Sequence, residues 1–401
     1  MIILVLNCGS SSLKYQLLDM KSESDYSLMA KGLVERIGLE MGVVSHRVPE
    51  RNKYEIEKPI KNHTEGIKEV LALLTDSSQG VLGSLSEINA VGHRVAHGGE
   101  FFFSSKRIDD SVIEGIEKCC ELAPLHNPAN LLGVKAVLEL MPKTPQVAVF
   151  DTSFHQTMPA SAYMYAIPYK YYLKYKIRRY GFHGTSHKFV ADKAAKLAGL
   201  DINKAKIITC HLGNGSSITA IDKGKSVDTS MGFTPVEGVV MGTRSGNVDA
   251  GVLTFLMEKE NMDAAKINSM LNKESGFLGV SGISSDSRDI HQAADSSDER
   301  AQLTVDVFCH SVIKYIGAYS AVMGGIDLIV FTGGIGENDW QAREQICANL
   351  GYLGIDFDKV LNKELRGVDQ ILTKVGSKVK IATVTTNEEL VIARDTMNLV
   401  K

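Results

Sequence analysis

Short unbroken apolar runs recur along the chain, separated by segments whose apolar positions repeat at helical spacing. The runs Met1 to Leu6, Ala90 to Arg94, Gln146 to Phe150, Lys206 to His211, Ile326 to Thr332 and Val379 to Val384 have strand length and predict buried strands. Their alternation with helical patterns predicts an α/β protein with mixed or parallel sheets. A helix is expected after Asn127, with Asn127 as its cap, Pro128 at its first position, and Leu131, Val134, Ala136 and Leu138 on its buried side. Two more are expected from about Ser186 to Ala198, stopped by Gly199, and from about Leu303 to Met323, stopped by Gly324 and Gly325. Thr386 and Glu389 have capping-box spacing at the head of a last helix.

Two segments repeat one pattern. VLNCGSSSLKYQLL near the start and IITCHLGNGSSITAI from Ile207 each read strand, Gly/Ser/Asn turn, strand, as an ancient duplication would leave them. Each turn presents backbone N–H groups and hydroxyls at a strand end, a way to hold phosphate oxygens without a Walker loop. One such cluster alone would read as an ordinary hairpin turn. Two of them, with a third glycine run in FTGGIGEN (Phe331 to Asn338), favour phosphate binding.

Composition narrows the classes. The chain has 401 residues, 44% hydrophobic and 23% charged, enough for two domains with sizeable cores. A formal net charge of −3 leaves no basic excess for a nucleic acid backbone. The apolar opening MIILVL lacks a basic flank and is too short for a signal peptide, and no run approaches the roughly 18 apolar residues of a membrane span. A soluble protein with no membrane partner is expected. The six cysteines form no CxxC pair and no metal-finger spacing, which argues against a structural zinc and suits a reducing cytoplasm.

The blocks LNCGSSSLKY, GHRVAHGG, PLHNP, FDTSFHQTMP, RRYGFHGTSH, HLGNGSS, DTSMGFTPVEG, MGTRSG, FTGGIGEN and TNEEL, in this order, resemble the motifs of the acetate kinase (acetokinase) family across essentially the whole chain. The resemblance implies the fold shared with sugar kinases, Hsp70 ATPase domains and actin: two duplicated α/β domains of the actin-like, ribonuclease H-like type facing a nucleotide cleft that closes on its substrates. The expected domains are residues 1–151 with 387–401, and residues 152–386. It also implies a cytoplasmic homodimer that transfers a phosphoryl group reversibly, and directly in line, between ATP and acetate, with Mg²⁺ as cofactor and Mn²⁺ able to substitute.

Phosphoryl transfer to a carboxylate asks a protein mainly to align reactants and neutralise spread negative charge. Arg94 and Arg244 match the family's arginines that hold acetate and the moving phosphoryl group, and their planar donors suit a carboxylate better than lysine would. His183 matches the histidine that donates to the phosphoryl oxygens in flight. Asp151 matches the catalytic acidic residue. Because a carboxylate substrate is already ionised at neutral pH, Asp151 is expected to orient an arginine rather than act as a base. Asn7 and Glu388 match the magnesium ligands. Ser10, Ser12 and Lys14 complete the first phosphate turn. His211, Leu212, Gly213, Asn214 and Gly215 should line the phosphates, and Gly333, Gly334, Ile335, Gly336 and Glu337 should approach the adenosine. His211 and His126 taken as histidines read as structural. Asp286, Ser287 and Arg288 match a third nucleotide segment, with Ser287 in place of the family's usual methionine.

The acid's alkyl end is matched by Ala96, Leu125, Phe182 and Pro235. Acetate kinases commonly carry valine where Ala96 stands, and the smaller side chain leaves room for another methylene. Propionate kinase of the same family is therefore the alternative. A non-catalytic nucleotide switch of the Hsp70 or actin kind is the reading from another class, and Arg94, Arg244 and His183 speak against it. Asn247 and Ala250 replace an aspartate and a proline usual behind Arg244.

Overall fold

The computed structural model describes residues 1–401, and the chain divides into two compact units, Met1–Ser153 with Asn387–Lys401, and Phe154–Thr386. The first unit is built on an eight-stranded sheet: β1 (Ile2–Cys8), β2 (Ser12–Met20), β3 (Tyr26–Glu35), β4 (Gly42–Arg47), β5 (Tyr54–Lys58), β6 (Ile88–Val95), β7 (Lys106–Arg107) and β8 (Gln146–Phe150). Their spatial order is β5-β4-β3-β2-β1-β6-β8-β7. The central strands β1, β6 and β8 are parallel, which requires both faces to be covered and explains their unbroken apolar runs.

The second unit holds a six-stranded sheet of β9 (Lys206–His211), β10 (Ser217–Asp222), β11 (Lys225–Thr229), β12 (Leu328–Thr332), β13 (Gln370–Ile371) and β14 (Lys380–Thr383), in the order β11-β10-β9-β12-β14-β13. This repeats β3-β2-β1-β6-β8-β7 of the first sheet in order and direction. In both, an antiparallel hairpin leads into three parallel strands, and a two-residue antiparallel strand closes the edge. The duplication read from two sequence segments extends to all six strands of the second sheet, while β4 and β5 of the first have no counterpart.

Helix boundaries correct three expectations. The helix Asn127–Leu140 starts at Asn127, and Asn127 does not cap it. Its buried amide instead accepts from His97 N at 3.0 Å and donates to His97 O at 2.8 Å, a tertiary demand that outweighs the local one. The long helix runs Glu299–Val322, starting earlier than its apolar pattern because Asp298 accepts from Ala301 N. No Thr386–Glu389 capping box forms: Asn387 caps Glu388–Val400 through Leu390 N, and Glu389 pairs with Lys14. The helices expected to end at Gly199 and Gly324 do stop there, both glycines having positive φ.

Candidate functional site

In the first unit the chemistry gathers where β1, β6 and β8 end. Arg94, on β6, donates from Nε to Asp151 Oδ1 at 3.0 Å and from Nη2 to Asp151 Oδ2 at 2.6 Å, and from Nη1 to Asn7 Oδ1 at 3.4 Å. Asp151 follows β8 directly, and its N–H bonds Val95 O, so the strand ends themselves set the pair. A guanidinium has five N–H groups; these three bonds leave one on Nη1 and one on Nη2, a fork matching a carboxylate. The Asp151 charge, then burial acting against it, then Glu388 hold Arg94 above its ordinary pKa. Burial pushes the Asp151 carboxyl up, against the pull of Arg94.

Ala96 is buried, its N–H bonded to Asn130 Oδ1 at 3.0 Å, while Asn130 Nδ2 reaches Cys8 O at 2.6 Å. Asn127 and Asn130 thus fix the loop after Arg94. Asn127 lies in the PLHNP block and Asn130 just beyond it, and neither amide stands out in the sequence as part of a site. Leu125 is exposed, and Ser10, on the turn closed by Gly9 N to Ser12 O, is exposed as well. Lys14 is held by Glu389, so the carboxylate of the last helix, and not the turn, takes its charge.

Asn7 and Glu388 offer an amide oxygen and a carboxylate, both half-buried hard donors. No group of three or more His, Cys, Asp or Glu side chains could hold a metal ion. An amide oxygen and a carboxylate are donors of the kind that fit Mg²⁺, a cation that keeps water and phosphate oxygens in its shell.

In the second unit His183 precedes the helix Gly184–Leu197 in a left-handed conformation with φ 56°, strain of about 1–3 kcal/mol of the kind found at working sites. Its Nδ1 lies 2.9 Å from Ser217 Oγ, and its ring stacks on His211 at 4.3 Å between centroids. Arg244 Nη1 donates to Pro235 O at 3.3 Å. Gly215 brings the two together: a side chain there would sit 3.4 Å from Arg244 Nη1 and 3.5 Å from His183 Nε2. Phe182 is buried with Met231 and Met241. The loop carrying Pro235 is secured by Glu237, which accepts from Arg179 Nη2 at 2.5 Å and from the Tyr165 hydroxyl. Asn247 accepts from Gly238 N at 2.9 Å and donates to Tyr315 Oη at 2.9 Å; a carboxylate there could make the first bond but not the second as donor.

The turn between β9 and β10 is welded to the glycine run. Leu212 O accepts from Ile335 N at 2.8 Å and Gly336 N at 3.1 Å, and a Cβ on Gly333, at φ +78°, would meet Leu212 O at 2.6 Å. Beside it opens a cavity of about 990 Å³ lined by Gly213, Asn214, Asp286, Ser287, Arg288, Gly334 and Ile335, together with His291, Asn338, Asp339, Trp340 and Arg366. That volume is ample for a nucleotide-sized ligand. His211, Leu212, Gly215, Gly333, Gly336 and Glu337 do not line it. Glu337 turns onto backbone, accepting from Gly333 N and Thr386 N, and His211 Nδ1 meets Ser186 Oγ. Arg288 pairs with Asp286, whose carboxyl is held down to about 2 by the side chain and backbone of Arg288. His291 and Asp339, 2.8 Å apart, were not foreseen, because only the fold brings them together.

A family model described as the acetokinase family matches residues 2–394. An acetate kinase of Thermoanaerobacter pseudethanolicus is 57% identical over 400 residues, covering 100% of this chain and 99% of the relative. Among solved structures, a Porphyromonas gingivalis acetate kinase superposes with TM-score 0.96 at 50% identity, each chain wholly covered. A Francisella tularensis propionate kinase superposes with TM-score 0.90 at 41% identity, with 99% of each covered. Whole-length similarity, a shared fold and the arginine, histidine and glycine blocks agree, and the chain belongs to the acetokinase family.

Proposed function

We propose that this protein is an acetate kinase: MgATP and acetate give ADP and acetyl phosphate, reversibly, by direct in-line transfer. The observation that carries this reading is the Arg94–Asp151 pair with its two remaining N–H groups, a built receptor for a small carboxylate. Asp151 orients the guanidinium. It has no proton to remove, since acetate is ionised at neutral pH. The first unit holds the acid, with Ala96 and Leu125 assigned to its methyl end. The second unit holds the nucleotide in the cavity beside Asn214 and Gly334, and Arg244 and His183 donate to the phosphoryl oxygens as charge spreads over them. Asn7 and Glu388 would hold Mg²⁺, which when bound neutralises phosphate charge. The Ser10, Ser12 and Lys14 turn is assigned to phosphate.

A homodimer is part of the proposal. The helix Ala250–Lys259 buries none of its residues although Val252, Phe255 and Met257 are 44%, 57% and 39% exposed, a face suited to a second copy of this chain. Phe255→Glu should yield a lighter species by sedimentation; an unchanged mass would remove this face from the interface. A cytoplasmic setting is proposed with it, the six cysteines being free thiols. No helix is long and apolar enough to cross a membrane.

The test is ADP release from MgATP with and without acetate. Acid-dependent release supports the kinase; nucleotide binding with no acid-dependent release would favour the switch. Propionate kinase is the second reading, favoured by Ala96.

A further inference from the structure

Thr209, His187, Ser217 and His183 form one hydrogen-bonded chain within the second unit. Thr209 Oγ1 lies 2.7 Å from His187 Nδ1, His187 Nε2 lies 2.7 Å from Ser217 Oγ, and Ser217 Oγ lies 2.9 Å from His183 Nδ1. Thr209, His187 and Ser217 are fully buried. Burial, with His155 and His211 nearby, drives the His187 pKa well below its ordinary value, so the ring is neutral.

A neutral imidazole donates through one nitrogen and accepts through the other, and a hydroxyl has one proton to give. With both rings neutral, three arrangements keep all three bonds, and in one of them Ser217 accepts from both histidines and leaves its own buried proton without an acceptor, which excludes it as costly. Two polarities remain. In the first, Thr209 donates to His187 Nδ1, His187 Nε2–H donates to Ser217, and Ser217 donates to His183 Nδ1. In the second every bond is reversed, and the Thr209 proton has no acceptor, because that hydroxyl makes no other hydrogen bond. A buried hydroxyl left unbonded is costly, which selects the first polarity. We infer that Thr209, His187 and Ser217 are positioning residues that fix His183 as its Nε2–H tautomer and so keep Nε2 a donor. The reverse polarity would put a lone pair on Nε2, beside Arg244 and Gly215, where it would repel a phosphoryl oxygen. The inference rests on the reading of His183 as a donor to the phosphoryl group.

Two measurements test it. In ¹⁵N-histidine spectra of the whole protein, with His183 assigned by its loss in His183→Gln, Nε2 should carry the proton and Nδ1 should not. A proton on Nδ1 overturns the inference. In kinetics, Ser217→Ala should lower kcat roughly tenfold with both KM values within about twofold, and should cause no further loss in a His183→Ala background. Equal losses in both backgrounds, or parental kcat in Ser217→Ala while His183→Ala is impaired, would reject the chain alone. Parental kcat in His183→Ala would reject the role of His183, and the inference with it.

Discussion

Arg94 grips Asp151 at two points, Nε on Oδ1 at 3.0 Å and Nη2 on Oδ2 at 2.6 Å, and the Asp151 side chain is only 3% exposed. A buried two-point clamp fixes the plane of the guanidinium and hence the direction of its remaining N–H groups. Asp151→Asn keeps the shape but sets an amide against a cation. We expect kcat to fall by roughly 10²- to 10³-fold. Steady-state kinetics showing kcat within about twofold of parental would contradict the orienting role.

In the proposed reading Ala96, buried and smaller than valine, is assigned to the acid's alkyl end. Restoring the family's usual valine should lower kcat/KM for propionate relative to acetate by about fourfold, the worth of one methylene at about 0.8 kcal/mol. Competition between the two acids reads this ratio directly. No change would show that Ala96 does not touch the substrate.

Gly333 combines positive φ with a carbonyl 2.6 Å from where a Cβ would stand. Gly333→Ala must strain the backbone or push the β9–β10 turn away from the glycine run. Since that turn and run line one cavity, nucleotide KM should rise at least about fivefold while acetate KM changes little. Equal effects on both substrates would point to general misfolding instead.

His291 and Asp339 are linked on the cavity wall. Burial pushes the His291 pKa down, but the hydrogen bond and charge of Asp339, with Asp295 further off, outweigh it and hold it above the ordinary 6.5. A base whose folded pKa is raised stabilises the fold below its unfolded pKa and loses that contribution as pH rises through the folded value. The Tm difference between parent and His291→Gln should therefore be larger at pH 6 than at pH 9. A constant difference would mean that the pair is not charged.

The central strands were legible because parallel strands buried on both faces need unbroken apolar runs. Lys206 to His211 and Gln146 to Phe150 agree with the structure end to end. The outer strands β3, β4 and β5 were not picked out, since their mixed burial leaves no continuous run. Local capping rules failed at Asn127 and at Thr386 with Glu389, where partners distant in sequence, His97 and Lys14 among them, claim the side chains. Motif blocks named Arg94 and Asp151 separately. The Thr209–His187–Ser217–His183 chain was beyond such reading, because its members sit on β9, on β10, on one helix and just before that helix, and meet only in the folded unit.

The most direct measurement is a hydroxamate assay of acyl phosphate formed from MgATP and acetate, run on the parent and on Arg94→Ala. Turnover by the parent that falls at least about a hundredfold in the variant is the predicted result. No acyl phosphate from the parent, or undiminished turnover in Arg94→Ala, would contradict a carboxylate kinase anchored on the Arg94–Asp151 pair.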